Sequence, residues 1–325
     1  MAPARRTTVG EWLQYGAVLL VYGLLNVIPH RLARYLGAWA GLAVYGWDRR
    51  HRRLVQAQLR TAFPDWPAAR IGRVAAQCYA NLGRSAAEFA RLGRADRETI
   101  LGRVTVEGLE HLERARRQGR GVLCLGAHLG NWELLGIVCA LLGHRLYPVV
   151  RPLHNPRLDR LVNGIRGRHG SAIVSKRADT APRDMIQALR RGECVGILLD
   201  QNTARHQGLF VPFFGRPACT AKGLALMARR TGAPVVPMFI ARVGSSDRHR
   251  VTIQPAIDWT RGPTIEEELV VNTARCTAAI ERMVRAHPEQ WLWMHRRWRT
   301  QPEAPPSSEL PVPALPAGAL RPGSG

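Results

Sequence analysis

The chain has 325 residues, enough to bury a complete hydrophobic core as one large domain, so its length does not require two domains. A formal net charge of +23 is extreme for a soluble enzyme and predicts an anionic partner: nucleic acid, an anionic membrane surface or an acidic protein. The six cysteines form no Cys-x-x-Cys or Cys/His cluster, so neither a zinc site nor a disulfide framework is indicated.

Two apolar stretches come first in the chain. Residues 12–29 contain no charge but are barely long enough to cross a bilayer, and residues 36–47 form a shorter stretch. Basic residues at 30–34 and 49–53 flank the second stretch, and aromatic residues near the ends of both suit a membrane interface. We therefore predict that residues 1–50 form an uncleaved helical membrane anchor or in-plane helix pair. A cleaved signal peptide and a buried core helix are the alternatives.

The remaining chain has the pattern of one α/β domain and a tail. An amphipathic helical pattern covers about 54–116, and helical segments then alternate with apolar runs of strand length. Those runs are 121–127, 144–150, 194–200, 234–240 and 249–255. We predict a mixed sheet flanked by helices over residues 51–300. Residues 301–325 are rich in Pro, Ala, Ser and Gly and are predicted to be a disordered tail.

His128 is the first candidate for chemistry, in the segment GVLCLGAHLGNWELLG (121–136). A strand ending near Gly126 places it at the carboxyl end of the strand, where open α/β sheets place their sites. On one regular helix His128 and Glu133 would lie about 140° apart, so they can meet only if Glu133 lies in the first turns of a helix that follows His128. A carboxylate on one imidazole nitrogen makes the other a better base. A solvated loop histidine followed by an ordinary helix-start glutamate is the alternative.

The wider surroundings of these two residues resemble the lipid A late acyltransferases, the lauroyl/myristoyl transferase family of the lysophospholipid acyltransferase superfamily. The resemblance extends from about residue 12 to residue 299. Its anchors are HRRLVQAQLRTAFPD (51–65), GAHLGNWE (126–133), RPLHNPRLD (151–159), LLDQN (198–202), FVPFFGRPACTAKG (210–223), GAPVVP (232–237) and HPEQWLWMHRRW (287–298). The combination of HLGNWE with HPEQWLWMHRRW is highly specific to that family.

This resemblance implies transfer of a fatty acyl chain from acyl carrier protein to a hydroxyl of a phosphorylated glucosamine lipid at the cytoplasmic face of the bacterial inner membrane. It implies His128 as general base and Glu133 as its orienting partner, in direct attack on a thioester without a metal or organic cofactor. A covalent route through Cys124 is the alternative, but we expect that thiol to point into the sheet.

Positive charge is expected near the site because the tetrahedral oxyanion and the substrate phosphates are anionic. The basic candidates are Arg151, Arg168, Arg177 and Lys222, and Arg177 ranks first because it matches an arginine of the family pattern. Asp200 matches an acidic position of the family. We expect it to orient a basic residue or the acceptor, with a simple strand-end turn as the alternative.

The segment FVPFFGRPACTAKG predicts an aromatic strand end, a glycine turn and a helix start. Phe213, Phe214 and Gly215 are expected to wall the acceptor or acyl pocket, and Thr220 to supply a cap or a contact. Core packing is the alternative for the two phenylalanines. The tryptophan-rich segment 287–298 is expected to be a structural element near the membrane surface.

Three other functions compete with this interpretation. Acylation of another glycolipid, such as a phosphatidylinositol mannoside, or use of acyl-CoA would require the same histidine motif. A basic membrane-peripheral protein without activity would keep the charge but not need His128. Nucleic-acid binding is not expected, because the chain has no helix-turn-helix, zinc or RNA-binding signature.

Overall fold

A computed structural model describes residues 8–175 and 180–303 of the chain. Arg177 and residues 304–325 of the predicted tail lie outside the described residues. The α-helices are α1 (Val9–Val27), α2 (His30–Trp47), α3 (Arg49–Ala62), α4 (Ala68–Leu92), α5 (Arg97–Leu101), α6 (Leu109–Arg116), α7 (Trp132–Leu141), α8 (Pro156–Gly167), α9 (Ala181–Arg190), α10 (Gly223–Thr231) and α11 (Ile265–Ala286). The strands are β1 (Val104–Glu107), β2 (Val122–Gly126), β3 (Leu146–Val150), β4 (Val174–Ser175), β5 (Cys194–Leu198), β6 (Gly208–Phe213), β7 (Arg216–Ala221), β8 (Val235–Arg242) and β9 (His249–Ile253).

Seven of these strands form one mixed sheet in the order β1-β9-β8-β2-β5-β3-β4. Neighbouring strands are parallel, except that β8 and β9 are antiparallel. Strands β6 and β7 form a separate antiparallel hairpin. The predicted α/β class with a mixed sheet flanked by helices is therefore confirmed.

Strand β2 lies at the centre of the sheet and is buried on both faces. Leu123 and Leu125 belong to one hydrophobic cluster, whereas Val122 and Cys124 belong to a second cluster on the opposite face. This alternation follows from the two-residue period of a strand. Full burial of a leucine or valine side chain contributes roughly 1.5–3 kcal/mol each, so the strand that precedes His128 is strongly anchored.

Local signals explain where several helices begin. The side chain of Asn155 accepts a hydrogen bond from the backbone of α8, and Pro156 occupies the first turn, where its missing N–H costs nothing. Thr264 caps α11 in the same way, ahead of three glutamates in its first turn. Negative charge there complements the helix dipole.

The two N-terminal helices form a pair that packs on α4. No residue of α1 is buried within the protein. Helix α2 approaches α4 closely because glycine faces backbone at the crossing: a Cβ on Gly83 would lie 2.0 Å from the carbonyl oxygen of Gly37, and a Cβ on Gly41 would lie 2.1 Å from that of Tyr79. Among the described residues, none of the helices has both the length and the apolarity needed to span a membrane. Membrane contact by this helix pair therefore stays a prediction.

Candidate active site

The candidate active site lies where two neighbouring parallel strands end side by side. Gly126 at the end of β2 is in register with Leu198 at the end of β5. His128 and Asp200 each follow two residues later, so the topology brings an imidazole and a carboxylate together at the carboxyl edge of the sheet. This is the edge at which open α/β sheets bind their ligands.

Asp200 holds His128 through two contacts, one to the imidazole and one to the backbone. Its Oδ1 lies 2.8 Å from Nδ1 of His128, and its Oδ2 accepts the backbone N–H of His128 at 2.8 Å. The indole N–H of Trp291 donates to the same Oδ2 at 2.7 Å. An ionised carboxylate can only accept, so Nδ1 carries a proton, and in the neutral imidazole Nε2 keeps the lone pair of a base.

The charges of this pair are mutually stabilising. Asp200 is only 2% exposed, and burial alone would raise its pKa, but the charge and hydrogen bonds of His128 lower the pKa to about 2. Burial opposes protonation of His128, yet the Asp200 carboxylate outweighs it and raises the pKa of the imidazole. The Nε2 atom is therefore a stronger base than that of an ordinary histidine.

Glu133 does not make the orienting contact expected from the sequence. It lies in the first turn of α7, as predicted, but its carboxylate accepts two hydrogen bonds from Arg166 of α8, at 2.6 Å from Nη2 and 2.8 Å from Nε. The orienting contact belongs to Asp200 instead, because the ends of β2 and β5 are adjacent in the sheet. The Glu133 charge still contributes to raising the pKa of His128, after Asp200.

A cavity of about 370 Å³ opens beside His128 and is walled largely by apolar side chains. These come from β3, β5, β8 and α7 and include Leu135, Leu146, Val149, Ile197 and Met238. The volume falls within the usual range for small-ligand sites. Glu133, Arg166, Arg151 and Gln201 supply its polar part, and the side-chain nitrogen of Gln201 lies 3.4 Å from Nε2 of His128. The arrangement suits a substrate with an apolar chain and a polar reacting end.

The basic candidates from the sequence are distributed unevenly around this cavity. Arg151 lines it, whereas Arg168 is exposed at the end of α8, and Lys222, just before α10, is not among the lining residues. Arg177 lies outside the described residues. Sequence reasoning missed Arg166, whose guanidinium lines the cavity and pairs with the carboxylate of Glu133. Two positions along a helix are about 200° apart, so Arg166 and Arg168 face different sides of α8.

Phe213 and Phe214 lie in the core rather than on the cavity wall. They are 0% and 7% exposed, and the Phe213 ring packs 5.5 Å from that of Trp291, the residue that donates to Asp200. Thr220 is also fully buried, and Gly215 forms the turn between β6 and β7 with a φ of +69°. The prediction that Phe213, Phe214 and Gly215 wall the pocket is therefore corrected. The hairpin instead supports the site through the contact between Phe213 and Trp291.

A buried ion cluster supports the start of α7. Asn131 caps the helix by accepting the N–H of Leu134 at 3.3 Å, and its amide donates to Glu88 at 3.0 Å. Glu88 also pairs with Arg34 of α2 at 3.1 Å and with Arg242 of β8. Removing one partner of a buried ion pair typically costs about 3–5 kcal/mol, so this cluster fixes the helix that carries Glu133.

Cys124 is buried in β2, as expected. A hydrogen-bonding contact with Cys194 and burial raise the pKa of its thiol well above the ordinary value, which keeps the thiol protonated and weakly nucleophilic. In the part of the chain that the structure describes, no three His, Cys, Asp or Glu side chains are grouped as ligands of a metal ion.

Comparisons with known proteins match nearly the whole chain. Residues 4–300 match the family described as bacterial lipid A biosynthesis acyltransferase. Three relatives are from Escherichia coli strain K12. A lipid A biosynthesis palmitoleoyltransferase is 27% identical over 85% of this chain and 87% of its own. A lauroyltransferase is 26% identical over 91% of this chain and 93% of its own. A myristoyltransferase is 27% identical over 90% and 87%, respectively.

Proposed function

The chain belongs to the bacterial lipid A biosynthesis acyltransferase family and is an acyltransferase, and on that premise we propose its donor, acceptor and location. It transfers a fatty acyl chain from acyl carrier protein to a hydroxyl of a lipid A precursor at the cytoplasmic face of the bacterial inner membrane. The observation that carries this proposal is a basic imidazole nitrogen, oriented by a buried carboxylate, beside a largely apolar cavity.

The proposed reaction is a direct acyl transfer. Nε2 of His128 takes the proton of the acceptor hydroxyl as its oxygen attacks the thioester carbonyl. Asp200 stabilises the imidazolium that forms. When the tetrahedral intermediate collapses, the C–S bond breaks and the imidazolium returns the proton to the thiolate. The proton and the acyl group are thus both accounted for, and His128 is regenerated as the free base.

Positive charge at the cavity stabilises the oxyanion in this scheme. Arg166 lines the cavity with its side chain only 18% exposed, and a guanidinium shielded from water stabilises developing negative charge. Glu133 acts in two ways: it holds Arg166 through two hydrogen bonds, and its charge adds to the basicity of His128. It therefore stays a proposed catalytic-site residue with a role different from that of Asp200.

The function and its donor are tested together with purified protein, a lipid A precursor and two donors, acyl carrier protein thioester and acyl-CoA. The carrier is small and acidic, whereas this chain has a formal net charge of +23, so association should be steered electrostatically. We expect kcat/KM for the carrier thioester to exceed that for acyl-CoA and to fall between 0.1 and 1 M salt, because the Debye length shrinks from about 10 Å to about 3 Å.

Charge changes on the two proteins sharpen this test. Neutralising acidic residues on one face of the carrier, or Arg168→Glu on this chain, should lower kcat/KM far more than kcat. Arg168 is exposed at the end of α8, the helix that carries Arg166, and Arg230→Glu, at the exposed end of α10, is the matched control. Equal use of both donors, with no effect of the carrier variants, would remove acyl carrier protein from the proposal. Acylation of another glycolipid but not of the lipid A precursor would change the acceptor.

We predict that the helix pair α1 and α2 docks on the membrane surface. Their outward faces expose large apolar residues, with Trp39 70% and Trp47 87% exposed. Aromatic residues beside arginine clusters favour the lipid interface. We expect the double variant Trp39→Ser/Trp47→Ser to bind anionic phospholipid vesicles at least about tenfold more weakly in a sedimentation assay.

Point variants are preferable to deletion because α2 packs closely on α4, and removing the pair would uncover the core. Leu226→Ser, at a 41% exposed apolar residue of α10, is the control and should bind vesicles like the wild type. If the tryptophan variant also retains full vesicle binding, this face is not the docking surface.

A further inference from the structure

A second cavity of about 410 Å³ lies next to the apolar one. The two share Arg151, Leu198 and Gln201 in their walls. The second cavity is lined mainly by polar side chains, which include Thr203, Gln207, Arg299 and Thr300. His128 thus lies close to the border between an apolar cavity and a polar one.

The charge of the second cavity is positive. Within the described ranges, its lining residues include Arg151 and Arg299 but no acidic side chain. Both arginines are exposed, and among the described residues neither guanidinium has a hydrogen-bond or ion-pair partner. A free guanidinium matches the geometry of a phosphate, and the neighbouring amides and hydroxyls match sugar hydroxyls.

The wall that carries Arg299 is held in place by hydrogen bonds. The backbone N–H of Asn202 donates to Nε2 of His295 at 2.8 Å. The Asn202 amide donates to the hydroxyl of Thr300 at 3.0 Å, and the N–H of Thr300 donates back to the Asn202 side chain at 3.0 Å. The loop after β5 and the segment around Arg299 are therefore fixed to one another, which suits a pre-formed binding site.

We propose that this second cavity binds the phosphate-bearing sugar head group of the acceptor, an inference that rests on the proposed acyl transfer. The acyl chain of the donor occupies the apolar cavity, and the acceptor hydroxyl reaches Nε2 of His128 from the polar side. Gln201 lines both cavities and lies 3.4 Å from that nitrogen, so its amide marks the point where the two substrates meet. Arg299 and Arg151 hold the phosphate.

The test is Arg299→Gln, which removes an exposed charge without a partner among the described residues, so we expect folding to be unchanged. We expect the KM for the phosphorylated acceptor to rise about tenfold with little change in kcat, because a charge-assisted contact to the head group is lost. The KM of the donor and the KM of a dephosphorylated acceptor should not change. Arg296→Gln is the matched control: Arg296 is exposed three residues earlier and does not line the cavity.

Direct binding separates this inference from the proposed function. Glucosamine 6-phosphate, followed by NMR or calorimetry, should bind the wild type and Arg296→Gln, but Arg299→Gln more weakly. That result supports the subsite whether or not the wild type acylates a lipid A precursor. Failure to acylate the precursor would contradict only the proposed acceptor. Equal glucosamine 6-phosphate binding by Arg299→Gln and the wild type overturns the subsite. So does a rise in the donor KM alone, which would assign the cavity to the phosphate of the donor.

Discussion

His128→Ala is expected to lower kcat for acyl transfer about 10²- to 10⁴-fold, the usual contribution of a general base. The variant removes the Nε2 atom that takes the acceptor proton. It should leave the fold intact, because His128 lies in the turn after β2 and belongs to neither hydrophobic cluster. Asp200 would keep the backbone N–H of residue 128 and the Trp291 indole as donors.

Transfer is followed by mass spectrometry of the lipid product, and folding by circular dichroism and Tm. His154→Ala is the matched control, since His154 is exposed in a loop and lines neither cavity beside the site. The control should retain wild-type kcat. Activity of His128→Ala within a few-fold of the wild type would remove His128 from the mechanism.

The sequence was sufficient to place His128 but not to identify its partner. A buried strand followed by a glycine-rich turn locates the histidine at the edge of the sheet, and the structure has it there. The partner depends on which strand lies beside β2, and strand order is set by tertiary packing. Glu133 is near in sequence and is therefore the partner that the sequence predicts, whereas Asp200 is 72 residues away and meets His128 only because β2 and β5 end in register.

Local geometry explains two further differences. The sequence does not show which face of α8 packs toward the cavity. A step of two residues turns the side chain to another face, so Arg166 lines the cavity and Arg168 does not. Adjacent residues of a strand point to opposite faces, which would have exposed either Phe213 or Phe214. Phe214 instead has a φ of 51°, rare for a residue with a side chain, and this turn conformation lets both rings pack in the core.

Asp200→Asn is the prediction that separates the two acidic residues of the site. The asparagine keeps the size of the side chain but not its charge. Its NH2 group would face one of the N–H groups that donate hydrogen bonds to Asp200. We expect kcat to fall about 10²- to 10⁴-fold, because the imidazole loses both its fixed tautomer and the stabilisation of its protonated form. Glu133→Gln should also reduce transfer, since Arg166 loses its ionic partner.

The pH profile distinguishes their roles. A general base must be neutral, so activity falls as pH drops through the pKa of His128, which Asp200 raises and Glu133 raises less. Removing either charge should therefore move the acidic limb of kcat/KM to lower pH, and Asp200→Asn should move it further than Glu133→Gln because burial then dominates. The measurement is kcat/KM of both variants from pH 5 to 9, with Tm recorded across the same range. If the acidic limb of kcat/KM moved further in Glu133→Gln than in Asp200→Asn, and Asp200→Asn stayed close to the wild type, the orienting role would belong to Glu133.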